Sequence, residues 1–197
     1  MPVFWLTAAV FALMAGIATG WMSQIAPFLV ESGLAEPEVA GLLALQFWLG
    51  IPGALLFGAL ADRVRLVTLY LGILVFQGLA YLVYASEIPP AGISLLVVSF
   101  GFVGGGMIPL FSLLLGSRVG ADALGRAMGL ANLLLLPCTI GSITIASLTH
   151  DWSGRYSEAL VLFAGGIGLA FVCLLLSERE ARRQRTRESR SRVVEGA

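Results

Sequence analysis

Six long runs of apolar residues, each bounded by charged residues, proline or glycine, account for most of this 197-residue chain. A helix needs about 20 mostly apolar residues to cross the hydrocarbon core of a bilayer, and each run is close to that length or longer. Strands of a membrane barrel would alternate polar and apolar residues over about ten positions, which these runs do not. The sequence therefore predicts an all-α polytopic membrane protein with six transmembrane helices. The runs are Val3–Val30, Val39–Ala61, Leu66–Ala85, Ala91–Leu115, Leu124–Thr149 and Ala159–Leu176.

The composition is typical of a surface that faces lipid rather than water. Hydrophobic residues make up 58% of the chain and charged residues 12%, whereas a soluble domain carries about 25% charged residues. We expect two regions, a transmembrane bundle over 1–177 and an arginine-rich cytoplasmic tail over 178–197. The first run has no basic residue before it and is too long for the core of a signal peptide, so we expect a retained helix there.

The basic residues are distributed unevenly along the chain, which has 12 arginines and no lysine. In a six-span count, one side of the membrane receives Arg63, Arg65, Arg118, Arg126 and the seven arginines of the tail. The other side receives only Arg155. Because cytoplasmic loops are enriched in basic residues, both termini are predicted to be cytoplasmic. We expect an integral protein of a bacterial plasma (inner) membrane.

Few residues are suited to catalysis or metal binding. His150 is the only histidine, and the two cysteines, Cys138 and Cys173, lie within apolar runs. Unpaired cysteines in such positions behave as small hydrophobic residues. No nucleophile paired with a base, no phosphate loop and no aromatic platform for nucleic acid is visible. We therefore expect no enzymatic activity, no cofactor or metal, and no nucleic-acid partner.

Short segments of the chain carry a resemblance to a known family. The segment Gly58–Arg63, Gly-Ala-Leu-Ala-Asp-Arg, resembles the motif that joins the second and third helices in each half of the major facilitator superfamily. Gly125 and Arg126, which open the fifth run, and the segment 151–156 resemble the penultimate helix and following loop of its carboxy-terminal half. The order of the six helices is similar to that half. Pro27–Glu38 is most similar to the monocarboxylate and oxalate–formate branch.

The resemblance implies one six-helix half of a transporter that carries a small solute across a lipid bilayer by alternating access. Because one bundle has no opposing half, it also implies a second six-helix half or a homodimer. Ala54 stands where the monocarboxylate-like branch would carry an arginine, so an organic-anion substrate is not supported. A non-transporting membrane scaffold or assembly subunit is the alternative function.

Uncharged polar side chains are the candidates for a solute pathway, because no charged residue lies well inside any run. A charge at the bilayer centre costs at least about 2.5–3.5 kcal/mol. The resemblance implies that the first, second, fourth and fifth helices line the central cavity. The predicted pathway residues are Gln24, Trp21, Gln46, Met107, Asn132 and Thr139, and the predicted conformational motif comprises Gly58, Asp62, Arg63, Gly125 and Arg126. For the amides, hydrogen bonding between helices is the alternative.

We expect Gln24, Gln46 and Asn132 to converge on one polar cavity near the membrane midplane. Amides without an ionised group favour a neutral or zwitterionic solute. Gln77 shares a helical stripe with three tyrosines of the third run, which the resemblance places outside the cavity. A site at this stripe is one alternative, but an outer scaffolding helix with tyrosines near the interfaces explains the pattern better.

Small residues four positions apart predict close contact between helices. The glycines 104–106 predict a bend in the fourth helix. The predicted contact pairs are Gly16 with Gly20, Gly101 with Gly105, and Ala54 with Gly58.

Overall fold

The computed structural model describes residues 2–86 and 89–195, with side chains for 3–86, 89–120 and 122–184. The side chains of the last four arginines of the tail, which entered the prediction of orientation, lie outside these ranges. Every regular element within the described ranges is a helix. The helices are α1 (Pro2–Glu31), α2 (Glu36–Ala61), α3 (Leu66–Ala85), α4 (Pro90–Gly105), α5 (Met107–Val119), α6 (Ala121–Ser153) and α7 (Ser157–Glu195).

Six helical segments of the described residues are long and apolar enough to cross a bilayer, which confirms the predicted fold class and number of spans. α4 and α5 together form the fourth span, Pro90–Val119. The backbone of α7 continues as helix from the sixth span into the arginine-rich tail, as far as Glu195.

The fourth span is interrupted at Gly106, which confirms the bend predicted for the glycine run. Gly106 ends α4 and precedes α5, and its amide donates to the carbonyl oxygen of Val103 at 3.2 Å. A Cβ at this position would overlap the ring of Phe57 on α2. Because Gly106 has no side chain, the ring of Phe57 packs directly against the backbone where the helix is interrupted.

α1 is the central helix of the bundle. It packs along both α6 and α7, and a larger share of its apolar window is buried than in any other span of the described residues. Met14, Trp21 and Ile25 on this helix are fully buried. α2 packs along α4, and α3 packs along α7. In lipid, such interfaces gain stability mainly from close packing and hydrogen bonds between helices.

α1 and α6 come into close contact through glycine. A Cβ at Gly16 would lie 2.6 Å from the Cβ of Cys138, and a Cβ at Gly20 would overlap the side chain of Ser142. Ser142 donates a hydrogen bond of 2.7 Å to the carbonyl oxygen of Gly16. The contact predicted for this glycine pair is confirmed.

A matching contact joins α2 and α4. Gly101 packs against the backbone of Gln46, and Gly105 packs against Gly50, which confirms the second predicted pair. The two glycines of α4 follow those of α1 by the same number of residues. On the partner helices, Gln46 precedes Cys138 and Gly50 precedes Ser142 by the same number of residues. The two interfaces are thus copies of one contact, as in a bundle built from a nested three-helix repeat.

The third predicted pair, Ala54 with Gly58, does not form a helix contact. Nothing lies within 4 Å of the Cβ position of Gly58, so this prediction is wrong. The contact on α2 is made by Gly53, whose Cβ would overlap the carbonyl group of Phe102. Gly53 lies seven residues after Gln46 and therefore on the same helix face, whereas Gly58 lies on another.

Candidate functional site

A cavity of about 450 Å³ lies between α1, α2, α3 and the span formed by α4 and α5. Residues near the middle of each span contribute to its wall, including Thr19 on α1 and Gln46 on α2. Three phenylalanines, Phe47, Phe76 and Phe100, make part of that wall aromatic. The volume falls within the range of cavities that hold drug-sized ligands.

Two of the predicted pathway residues, Gln46 and Met107, line this cavity. The Gln46 side chain is almost fully enclosed, and its Nε2 donates to the sulfur of Met22 at 3.3 Å. Its Oε1 has no hydrogen-bond partner among the described residues. The close approach of α4 at Gly101 fixes the backbone that carries this amide.

Gln77 also lies in the cavity wall. Its Nε2 lies 3.5 Å from the carbonyl oxygen of Met14 and 3.3 Å from the hydroxyl of Tyr81. Its Oε1 has no partner among the described residues. The stripe faces α1, and all three tyrosines on it are buried, whereas Val75 and Leu79 on the other side of α3 are exposed. That α3 is an outer scaffolding helix stays a prediction. The sequence signal for a place in the cavity wall was a primary amide in the middle of an apolar run, because a buried amide needs a hydrogen-bond partner or water.

Gln24 lies apart from the cavity, near the loop between α6 and α7. Its Nε2 donates to Ser147 at 3.3 Å, and its Oε1 accepts from the hydroxyl of Tyr156 at 3.4 Å. The ring of Tyr156 stacks on His150 at 4.3 Å between centroids. His150 lies 3.1 Å from Glu31 at the end of α1. These contacts join α1, α6 and the loop before α7 at the end of the bundle that is predicted to face outward.

Trp21 is fully buried and lies within a cluster of aromatic rings. Its ring centroid lies 5.1 Å from that of Phe28 and 5.3 Å from that of Tyr84. Its indole nitrogen has no hydrogen-bond partner among the described residues. Edge-to-face contacts of this kind favour tight packing between helices. In this conformation Trp21 is part of the core and does not line the cavity.

The predicted pathway residues of α6 also lie away from the cavity. Asn132 is exposed and makes no side-chain hydrogen bond within the described part of the chain. Thr139 is half-buried, and its carbonyl oxygen accepts from Ser142 at 2.9 Å. The structure therefore does not bring Gln24, Gln46 and Asn132 together in the six-helix unit. Their part in solute binding stays a prediction.

The residues of the predicted conformational motif lie at two exposed helix ends. Asp62 ends α2, and Arg63 follows it; both are exposed. Gly125 and Arg126 are exposed in the first turns of α6, and nothing lies within 4 Å of the Cβ position of Gly125. None of these side chains packs against another helix of the described bundle.

Arg118 was predicted to lie in a connecting loop, but it is buried in the last turn of α5. Its side chain is only 7% exposed. It donates to the hydroxyl of Thr7 at 2.7 Å, contacts the hydroxyl of Ser177 and lies 3.5 Å from the carboxylate of Glu178. Arg65 lies 3.5 Å from the same carboxylate. Sequence reasoning missed this cluster because the last polar turn of a membrane helix is easily assigned to the loop.

Comparison with known proteins finds a family model and several relatives. The model of the Major Facilitator Superfamily matches residues 1–137. An uncharacterized protein of Archaeoglobus fulgidus is 31% identical over 163 residues, which are 81% of this chain and 72% of that protein. Uncharacterized MFS-type transporters of Yersinia pestis and Yersinia pseudotuberculosis are each 28% identical over 177 residues, which are 88% of this chain and 44% of each relative. The chain thus spans less than half the length of its Yersinia relatives.

The fold defines a polytopic α-helical membrane protein with six spans, four of which line a mostly apolar cavity. The chain belongs to the major facilitator superfamily, since the family model covers more than half of it. The Yersinia relatives, which are named MFS-type transporters, agree with that family. The predicted family is therefore confirmed. The monocarboxylate and oxalate–formate branch stays a prediction.

Proposed function

We propose that this chain is one six-helix half of a transporter that moves a small solute across the membrane by alternating access. The observation that carries the proposal is the cavity of about 450 Å³ at mid-depth of four spans, with Gln46 and Gln77 in its wall. Transporters of this fold class place their substrate sites near the bilayer midplane and expose them to each side in turn. A cavity of this size at that depth suits such a site.

A second six-helix bundle completes the transporter in this proposal. The exposed face of α2 carries large apolar side chains, among them Trp48 at 71% and Leu55 at 72% exposure. The exposed face of α6 carries Asn132, whose amide would lack a partner if that face met only lipid. The Yersinia relatives are more than twice as long as the region they share with this chain. Their length leaves room for a second bundle.

The orientation with both termini in the cytoplasm of a bacterial inner membrane belongs to the same proposal. It is supported by the arginine distribution, because Arg65, Arg118 and Arg182 meet at one end of the bundle around Glu178. Basic residues concentrate on the cytoplasmic side of membrane proteins. A monocarboxylate-like specificity is not part of the proposal, since the cavity wall contains no basic side chain.

The alternative is a membrane scaffold or assembly subunit that carries no solute. The fully packed aromatic cluster around Trp21 and the glycine contacts of α1 are compatible with a purely structural role. A scaffold would have no use for a cavity lined by unsatisfied amide oxygens, because each buried polar group without a partner costs stability. The cavity therefore favours the transporter.

Two measurements on the same preparation test the proposal. The chain is purified into lipid nanodiscs, and native mass spectrometry determines how many six-helix bundles each particle contains. The same assembly is then reconstituted into proteoliposomes, which are incubated with a uniformly ¹³C-labelled extract of small metabolites. We expect particles with two bundles and uptake of at least one labelled compound above protein-free vesicles. Two-bundle particles without uptake would identify a scaffold, and uptake by a single bundle would contradict the half-transporter.

A further inference from the structure

The wall of the central cavity contains no ionisable side chain. Apart from the amides of Gln46 and Gln77 and the hydroxyl of Thr19, its side chains are apolar or aromatic, or the wall residue is glycine. An ionised solute would lose hydration on entering and would meet no opposite charge, which is strongly unfavourable in a membrane interior. The cavity therefore selects against cations and anions alike.

Most donors of the wall already face an acceptor, and one N–H of the Gln46 amide has none among the described residues. The Gln77 amide nitrogen faces two acceptors, the carbonyl oxygen of Met14 and the hydroxyl of Tyr81, and the Gln46 amide nitrogen faces the sulfur of Met22. Only an NH₂ group can donate to a backbone carbonyl, so the contact with Met14 establishes which end of the Gln77 amide is the nitrogen.

The acceptor capacity of the wall, by contrast, is unused. The Oε1 atoms of Gln46 and Gln77 are both buried without a hydrogen-bond partner among the described residues. The hydroxyl of Thr19 donates to the carbonyl oxygen of Ala15 at 2.8 Å and keeps a free lone pair. The terminal torsion of glutamine is broad, so a small rotation can turn either oxygen toward a ligand. A site with two unpaired amide oxygens and mostly occupied donors favours a ligand that donates hydrogen bonds.

We propose that the central cavity binds a neutral, largely apolar solute that donates an N–H or O–H hydrogen bond to the amide oxygen of Gln46 or Gln77. This substrate class rests on the proposed transport function and makes it more specific. Aromatic wall residues such as Phe76 and Phe100 provide flat apolar contact for the body of the solute. The amide oxygens then distinguish donors from apolar molecules of the same shape, because an unpaired buried acceptor is penalised.

Equilibrium binding of three radiolabelled probes to the assembly in nanodiscs tests the inference, with empty nanodiscs as the correction for lipid partition. The probes are N-phenyl-1-naphthylamine, which is neutral with one N–H; 1-phenoxynaphthalene, which has an ether oxygen in its place; and the ethidium cation. We expect saturable binding of the amine, about fivefold tighter than the ether, which is the factor expected for one neutral hydrogen bond. Ethidium should bind to the assembly no more than it binds to empty nanodiscs.

Substitutions in the wall test whether the preference for the amine over the ether arises in the cavity. Gln46→Met, Gln77→Met and the double variant replace the amide by an apolar chain of similar length, and Gln184→Met makes the same change on an exposed part of α7. The preference for the amine should fall below twofold in the double variant and in at least one single variant, and persist in Gln184→Met. Because Gln77 also contacts Met14 and Tyr81, Gln46→Met keeps the test valid if Gln77→Met does not fold.

The outcomes separate this inference from the proposed function. Equal affinity for amine and ether in the parent, an undiminished preference in the double variant, or saturable ethidium binding would overturn the substrate class and leave the half-transporter standing. Preferential binding of the amine without uptake of any labelled solute would overturn transport and leave the ligand class in place.

Discussion

Arg118, at the end of α5, lies 3.5 Å from the carboxylate of Glu178 on α7 and also donates to Thr7 on α1. This one side chain therefore links three helices at the end of the bundle that is predicted to be cytoplasmic. Arg65, in the connection between α2 and α3, reaches the same carboxylate. The cluster therefore joins α1, α5, α7 and the connection between α2 and α3 at this end of the bundle.

Replacing Arg118 by leucine should destabilise the bundle, because it removes the one buried arginine of the three around Glu178 and leaves the hydroxyls of Thr7 and Ser177 without their charged donor. Breaking a buried pair by removing one partner costs about 3–5 kcal/mol, and we expect a loss near the lower value since Glu178 is partly exposed. Unfolding in mixed detergent micelles measures the change. The control is Arg126→Leu, an exposed arginine, which should change stability by less than about 0.5 kcal/mol.

Gly20→Leu should destabilise the contact between α1 and α6, because its Cβ would already overlap the side chain of Ser142. Overpacking of this kind typically costs about 1–3 kcal/mol. Gly129→Leu is the matched control, since nothing lies within 4 Å of its Cβ position on α6. The comparison uses the thermal unfolding midpoint of both variants in detergent. Similar midpoints for the two variants would show that α1 and α6 are not in close contact in the folded protein.

The number of spans followed from the sequence because the bilayer imposes a length on every helix that crosses it. Two of the three glycine contacts were also predicted, since pairs such as Gly16 and Gly20 lie at the middle of a run and on one helix face. The bend at Gly106 followed from three successive residues without side chains. These features depend on local sequence and on the thickness of the membrane alone.

The rotation of each helix could not be predicted in the same way. The apolar runs carry nearly uniform hydrophobicity, so no pattern distinguishes the face toward lipid from the face toward protein. Gly58 was therefore assigned to a contact that it does not make, and Gln77 was not named among the pathway residues although it lines the cavity. Arg118 was missed for a related reason, because its burial depends on Thr7 and Glu178, which are distant in sequence.

The predicted orientation can be tested with single cysteines in a background in which Cys138 and Cys173 are replaced by alanine. Glu36→Cys lies at the exposed start of α2, and Arg183→Cys lies on the exposed part of α7 in the tail. A membrane-impermeant maleimide added to intact cells should label the first and spare the second until the membrane is permeabilised. Labelling of Arg183→Cys with protection of Glu36→Cys would reverse the orientation.

Asp62 ends α2 and contacts no side chain of the described bundle, so its partner is expected on the second bundle. Asp62→Asn keeps the size of the side chain and removes its charge. We expect normal membrane insertion and an unchanged unfolding midpoint, together with at least a tenfold loss of solute uptake. The comparison requires equal amounts of parent and variant in the proteoliposomes. Equal uptake by parent and variant would show that the charge of Asp62 is not needed for transport.

The central claim, that solute passes through the cavity between α1, α2, α3 and the fourth span, is tested most directly by filling it. Gly104 lines the cavity, and Gly72 lies on an exposed face of α3; neither has an atom within 4 Å of its Cβ position. Uptake of labelled solute is compared for Gly104→Phe and Gly72→Phe in matched proteoliposomes. The account predicts that Gly104→Phe abolishes uptake while Gly72→Phe retains it. Full uptake by a folded Gly104→Phe protein would contradict it.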